Sequence, residues 1–211
     1  MRKFLAVSAV ALMAVALAAP AHAETGTKKA GDIVVRARAL GVVPMDGGEV
    51  LTNPGDAATG LSVTNIGSSV VPELDFTYFF TNHIAAELIA GTTPHNIHAG
   101  STKVGKAWLL PPTLTLQYHF MPDSQISPYV GAGINYTIFY GEGSGLPGFD
   151  VKNTFGAALQ AGVDYQLEGN WSLNFDVKKL YLRPEATTST LKVKEVKIDP
   201  WIIGVGVGYR F

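Results

Sequence analysis

From Trp201 to Phe211 the chain alternates without a break. Trp201, Ile203, Val205, Val207, Tyr209 and Phe211 fall on one face, and Ile202, Gly204, Gly206, Gly208 and Arg210 on the other. A period of two puts successive side chains on opposite faces of a β-strand. The bulky apolar set suits contact with lipid, while the glycines and the arginine suit a crowded interior. Leu74, Phe76, Tyr78 and Phe80 alternate in the same way with Glu73, Asp75, Thr77 and Phe79, and Leu114, Leu116, Tyr118 and Phe120 with Thr113, Thr115, Gln117 and His119. Phe155, Ala157, Leu159, Ala161, Val163 and Tyr165 oppose Thr154, Gly156, Ala158, Gln160, Gly162 and Asp164.

The pattern predicts eight strands, running from Asp32 to Val43, Val71 to Thr81, Ile84 to Thr93, Trp108 to Phe120, Pro128 to Tyr140, Lys152 to Leu167, Trp171 to Leu182 and Lys197 to Phe211. Each is long enough to cross the hydrocarbon as a tilted strand. Short turns (Asn82-His83, Met121 to Ser127, Glu168 to Asn170) alternate with long polar loops (Pro44 to Val70, Pro94 to Ala107, Gly141 to Val151, Arg183 to Val196). The expected fold is all-β, an eight-stranded antiparallel transmembrane β-barrel integral to a bacterial outer membrane, with long loops outside and both termini periplasmic. Tyr78, Phe80, Tyr118, Phe120, Tyr165, Trp171, Tyr209 and Phe211 form one interfacial aromatic girdle, and Trp108, Tyr140 and Trp201 the other. One strand breaks the pattern: the parity of Trp171, Leu173, Phe175 and Val177 turns Lys179 towards lipid. Either Lys179 snorkels to the headgroups or a bulge flips the register after Val177, which leaves the facing of Leu180 and Leu182 open.

Arg2 and Lys3 precede an apolar run from Phe4 to Ala19, followed by Ala21-His22-Ala23, the features of a cleaved secretory signal. Residues 1–23 are read as that signal and 24–211 as the barrel domain. The 16 basic residues face 17 acidic ones and are nowhere clustered, which argues against a nucleic-acid partner. With no cysteine, neither disulfides nor thiolate metal sites are available.

An eight-stranded barrel is just wide enough for side chains to fill it, so a broad aqueous pore is excluded. Inward parity places a polar network in the periplasmic half: Arg36, Arg38, Glu87, Gln117, His119, Asp164, Asp176 and Arg210, with Asn174. Glu73 and Asp75 point inward higher up and need partners such as Lys178 or a loop amine. Towards the outside the same parity gives an apolar channel lining of Leu40, Val42, Ile89, Phe139 and Ile202. A small hydrophobic molecule resting there is stopped below by charges, since breaking buried ion pairs costs several kcal/mol per ion. Its exit is then sideways into the bilayer. Pro111-Pro112 offers the opening, because proline donates no ladder hydrogen bond; Pro72 and Pro200 are further candidates. The alternative is that the apolar residues only fill the barrel, and that its role is structural or a docking one carried by the external loops.

Catalytic and metal-binding readings find little support. His95, His98 and Ser101 share a loop with no carboxylate close in sequence, and two histidines leave a metal site incomplete. The Gly141 to Gly145 stretch opens no helix and is a flexible loop rather than a phosphate cradle. No cofactor is expected.

Leu110-Pro-Pro-Thr-Leu-Thr-Leu-Gln-Tyr-His-Phe120, Pro128-Tyr-Val-Gly-Ala-Gly-Ile-Asn-Tyr136, Ala158-Leu-Gln-Ala-Gly-Val-Asp-Tyr165 and Ile198-Asp-Pro-Trp201 with the terminal Gly-Tyr-Arg-Phe211 resemble the OmpW family of outer-membrane proteins. The resemblance covers essentially the whole chain after the signal. It implies an eight-stranded barrel with a narrow, largely apolar channel linked to passage of small hydrophobic molecules, an alkane-uptake protein being a relative. The terminal strand ending on Phe211 resembles the signature by which the barrel assembly machinery recognises its clients. Expected partners are therefore outer-membrane lipid, small hydrophobic molecules and that machinery, with phage or bacteriocin docking as a further use of the loops.

Overall fold

Eight antiparallel strands close on themselves: β1 (Ile33–Val43), β2 (Ser69–Phe79), β3 (Ile84–Gly91), β4 (Thr113–His119), β5 (Ile126–Gly143), β6 (Thr154–Gln166), β7 (Trp171–Tyr181) and β8 (Trp201–Arg210). This computed structural model describes residues 27–211 except Asp46, Pro54, Thr64, Thr92, Gly100, Ser101, residues 144–147 and Phe149. For Leu61, Asn65, Ala90 and residues 93–99, 102–107 and 140–143 it describes the backbone alone. The expected signal, the side chains of His95, His98 and Tyr140, and most of the glycine-rich loop lie outside what is described.

Each strand pairs with its sequence neighbours, and β1 pairs with β8 (Arg36↔Gly208, Arg38↔Gly206, Leu40↔Gly204) to close the ring. That closure is why β8 carries glycines on its inner face. A Cβ on Gly206 would lie 2.2 Å from the Ala37 carbonyl oxygen, and one on Gly204 would lie 2.8 Å from Leu40 Cδ2. The alternation in sequence becomes alternation in burial. Along β4 every second residue from Thr113 to His119 is buried and Leu114, Leu116 and Tyr118 are exposed. The exposed apolar residues form the lipid-facing wall. At the short-turn end the aromatics meet edge to face, as Tyr78 with Phe80, Tyr118 with Phe120, and Tyr209 with both Trp171 and Phe211.

The register of β7 settles the Lys179 alternatives. Gln160↔Lys178, Leu159↔Lys179 and Ala158↔Leu180 follow one another without a bulge. Lys179 is turned outward, with its ammonium donating to the Asp199 carbonyl and lying 5.1 Å from the Trp201 ring centroid. It snorkels, and Leu180 and Leu182 are buried inside.

Two expectations are corrected. The fourth strand does not run from Trp108 to Phe120: it stops at Pro111-Pro112, and Thr102–Leu110 forms a separate strand paired with Thr93–Ala99 and with the end of β5. The long connections are not simple polar loops either. Glu49–Thr52, Ala58–Ser62, Asp150–Val151, Ala186–Thr187 and Leu191–Val193 form a second, five-stranded sheet over the long-loop end of the barrel. It packs an apolar core of Val50, Val63, Ile66, Val151, Val193 and Val196 onto the barrel's Leu109, Phe139, Leu182 and Ile198. The apolar residues of those loops are sparse and widely separated, so their convergence is a tertiary effect that local patterning does not reveal.

Because a side chain at position 206 would run into the Ala37 carbonyl of β1, Gly206→Val should prevent closure. The expected result is loss of the fast-migrating folded band on unheated gels, whereas Val207→Ile on the lipid face should leave it intact.

Candidate functional site

The lumen is divided into two layers. β1 supplies Arg36 and Arg38 to the lower one, and carboxylates reach them from several walls: Glu73 and Asp75 on β2, Glu87 on β3, Asp164 on β6 and Asp176 on β7. Arg36 is fully buried and bridges Asp75 and Asp164, each at 3.0 Å, while donating to Thr77 Oγ1 at 2.7 Å. Arg38 holds Glu73 at 2.6 Å and Asp75 at 2.9 Å. Lys178 binds Asp176 and lies 3.2 Å from Glu87. Amides and a phenol take up further lone pairs. Gln160 Nε2 donates to Glu87 and Asp176, Gln117 Nε2 to Glu87, Asn174 Nδ2 to Asp164, and Tyr129 OH to Asp176.

The base of this layer is sealed by the segment before β1. Lys28 reaches in to donate to Asp164 at 2.8 Å, Ser127 Oγ at 2.9 Å and His119 Nδ1 at 3.1 Å. Burial pulls its ammonium below the ordinary lysine range, although Asp164 acts in the opposite sense. The expected network members Arg36, Arg38, Glu87, Gln117, His119, Asp164, Asp176 and Lys178 are thus brought together. Arg210 is not among them: it sits at the rim, donating to the Thr27 carbonyl and to Asn170, and so anchors the N-terminal segment. The partners of Glu73 and Asp75 are the β1 arginines. Lys28 and Tyr129 escaped the sequence reading. Tyr129 has inward parity in β5, whereas nothing in the pattern marks a residue ahead of the first strand.

Above the charges the lumen is apolar. A cavity of about 50 Å³ is lined by Leu40, Val42, Val71, Ile89, Leu180 and Ile202, with Leu109, Leu182 and Ile198 towards the loop sheet. This is room for a slender apolar group and not for a water-filled pore. Four of the five expected lining residues are here. Phe139 is the exception: it is drawn into the core beneath the loop sheet, where it packs with Leu109 and Leu182.

The cavity meets the wall where the wall is weakest. Pro72, Gly91, Pro111 and Pro200 also line it. The β3–β4 ladder ends at Ile89↔Thr113 and pairing resumes at Thr93↔Leu109, so among the described residues it is interrupted opposite Pro111-Pro112. On the β5 side the prolines stay tied, with Tyr136 N donating to the Pro112 carbonyl at 3.1 Å and Asn135 Nδ2 reaching the Pro111 carbonyl at 3.2 Å.

With this geometry in view, the model of the OmpW family matches residues 29–211. The chain belongs to the OmpW family. It is 50% identical to the uncharacterized outer-membrane protein y4mB of Sinorhizobium fredii over 84% of this chain and 79% of that one. It is 32% identical to outer membrane protein W of Vibrio cholerae over 92% and 95%. The crystal structure of OprG from Pseudomonas aeruginosa superposes with a TM-score of 0.81 at 29% identity, covering 88% of this chain and 98% of that one. This OmpW-family chain is an integral outer-membrane β-barrel.

Arg36→Met leaves Asp75 with Arg38 alone and Asp164 with Lys28 alone; removing one partner of a buried ion pair costs about 3–5 kcal/mol, which should appear as a lower urea midpoint for unfolding from lipid vesicles. In the loop sheet, Lys194 and Lys192 hold Asp56 below the usual carboxylate range, and Lys152 does the same for Glu185. A carboxyl whose folded pKa is depressed contributes above its unfolded pKa and loses that contribution as pH falls. Backbone order in residues 49–62 and 186–193 should therefore drop below about pH 4 while the barrel strands keep theirs, as read from amide relaxation.

Proposed function

We propose that this barrel gives small hydrophobic molecules a narrow apolar route through the outer leaflet side of the membrane, with exit sideways into the bilayer. The observation that carries the reading is the apolar cavity closed below by charge and bordered by an interrupted wall. The long-loop end is placed outside and both chain ends in the periplasm, which is the arrangement usual for such barrels. A molecule entering beneath the loop sheet exchanges one apolar surrounding for another at Leu109, Leu182 and Ile198. Further descent would separate buried ion pairs, at several kcal/mol per ion. The passage between Gly91 and Pro111 leads instead to hydrocarbon, so the molecule never meets water.

A second reading is favoured by the loop sheet. A folded, five-stranded surface at the long-loop end is a platform on which an extracellular partner such as a phage or bacteriocin can dock without any transport.

Uptake of a small apolar dye into vesicles separates the two. Leu40→Trp fills the cavity from β1 and should reduce uptake to that of vesicles without the barrel. Replacing Pro111 and Pro112 by Val and Thr restores two ladder donors and should slow release into the bilayer. Wild-type uptake by a folded Leu40→Trp barrel would overturn the route and favour docking.

A further inference from the structure

The apolar route does not account for one atom on the cavity floor. Three side chains with polar groups line the cavity: Glu73, Thr113 and Lys178. The Thr113 hydroxyl donates to the Pro111 carbonyl and accepts from Asn135 Nδ2. The Lys178 ammonium is taken by Asp176 and Glu87. Glu73 is only 4% exposed, and Arg38 engages just one of its oxygens: Oε1 accepts from Nε at 2.6 Å and faces Nη2 at 2.6 Å. Oε2 has no hydrogen-bond partner among the described residues. A carboxylate oxygen on the lining of an apolar cavity is a strong acceptor, and leaving it without a donor is costly.

The surrounding charge narrows what can satisfy it. The layer beneath holds Glu73, Asp75, Glu87, Asp164 and Asp176 against Arg36, Arg38, Lys28 and Lys178, one carboxylate more than it has cations. An anionic head group would meet that excess, with the nearest cations already paired, Arg38 to Glu73 and Asp75 and Lys178 to Asp176 and Glu87. A ketone or ester would bring a second acceptor to face the first. A hydrocarbon would leave Oε2 as it is. A hydroxyl hydrogen supplies what is missing without adding charge to an apolar cavity.

We infer that the cavity is a binding site for an alkyl chain ending in a neutral hydrogen-bond donor, a primary alcohol, and that Glu73 Oε2 selects the head group. The inference rests on the apolar route and adds selectivity to it. The chain lies against Leu40, Ile89 and Ile202, and the hydroxyl points down to Glu73. In Glu73→Gln the guanidinium of Arg38 still requires the side-chain oxygen, so the amide NH₂ turns to the cavity. The variant therefore presents a donor and favours an acceptor head.

The test is a titration of the barrel in lipid nanodiscs, followed by the methyl resonances of Leu40, Ile89 and Ile202, with hexane, 1-hexanol, 2-hexanone and hexanoate compared at equal bilayer concentration. 1-Hexanol should reach its midpoint at about a tenth of the concentration the other three need, as one charge-assisted hydrogen bond allows. In Glu73→Gln the order of 1-hexanol and 2-hexanone should reverse. Equal midpoints for hexane and 1-hexanol in the wild type, or an unchanged order in the variant, would overturn the assignment while leaving the route standing. If none of the four compounds shifts these methyls, the route itself fails and the selectivity with it. The wild-type series decides the preference even should the variant not assemble.

Discussion

A guanidinium buried at the axis of a closed ring has to be neutralised from within the ring. Arg36 meets that requirement through Asp75 on β2 and Asp164 on β6, with Glu87 of β3 at 3.6 Å. Its partners stand on different walls, so the pairing locks the registers of those strands to one another. A one-residue slip in any of them would turn its carboxylate to lipid and bury an uncompensated cation. The same lock closes the lumen. The side chains of Arg36, Arg38, Asp75, Glu87 and Asp164 that make the lock fill the middle of the lumen, buried from solvent.

This gives the two halves different tasks. The lower half works as a girder, its carboxylates bonded in addition by Gln117, Gln160, Asn174 and Tyr129. The upper half has no such network, and its walls are held by the barrel ladder and by the sheet folded over it. An apolar cavity survives there because the loop sheet takes up side chains that would otherwise fill it. Phe139, directed inward by its parity, leaves the cavity for the core it shares with Val50 and Val193.

Most of the barrel was legible in the sequence because lipid and lumen impose opposite demands on alternate residues, and a period of two records both. That is why the inward set of β2 and β4 is readable residue by residue, and why parity turns Leu40, Val42, Ile89 and Ile202 to the side of the wall where the cavity lies. Parity states the side of the wall and says nothing about what stands across the lumen. Parity therefore points Arg38 into the lumen without naming Glu73 as its partner, and Phe139 without the loop sheet. Lys28 was illegible for a different reason: it belongs to no strand, and its place is fixed by the charges it meets at the base.

The break at Pro111-Pro112 is tolerable because its cost falls on one side only. Two consecutive residues without an N–H would ordinarily leave partner carbonyls unpaired in a setting with no water to replace them. Here the prolines act as acceptors instead. Their carbonyls take Tyr136 N and Asn135 Nδ2 from β5, so β4 and β5 remain joined through the interruption. Asn135 is itself fixed, bonded to Thr113 Oγ1 at 2.8 Å and accepting from Thr137 at 2.6 Å. The break is confined to the β3 side, where Gly91 brings no side chain to the space opposite Pro111. Ile89↔Thr113 and Thr93↔Leu109 belong to one continuous register, so the strands keep their alignment above and below the interruption. The interruption leaves the charged layer below it untouched, and a rigid lower half and a broken ladder above therefore coexist in one eight-stranded barrel.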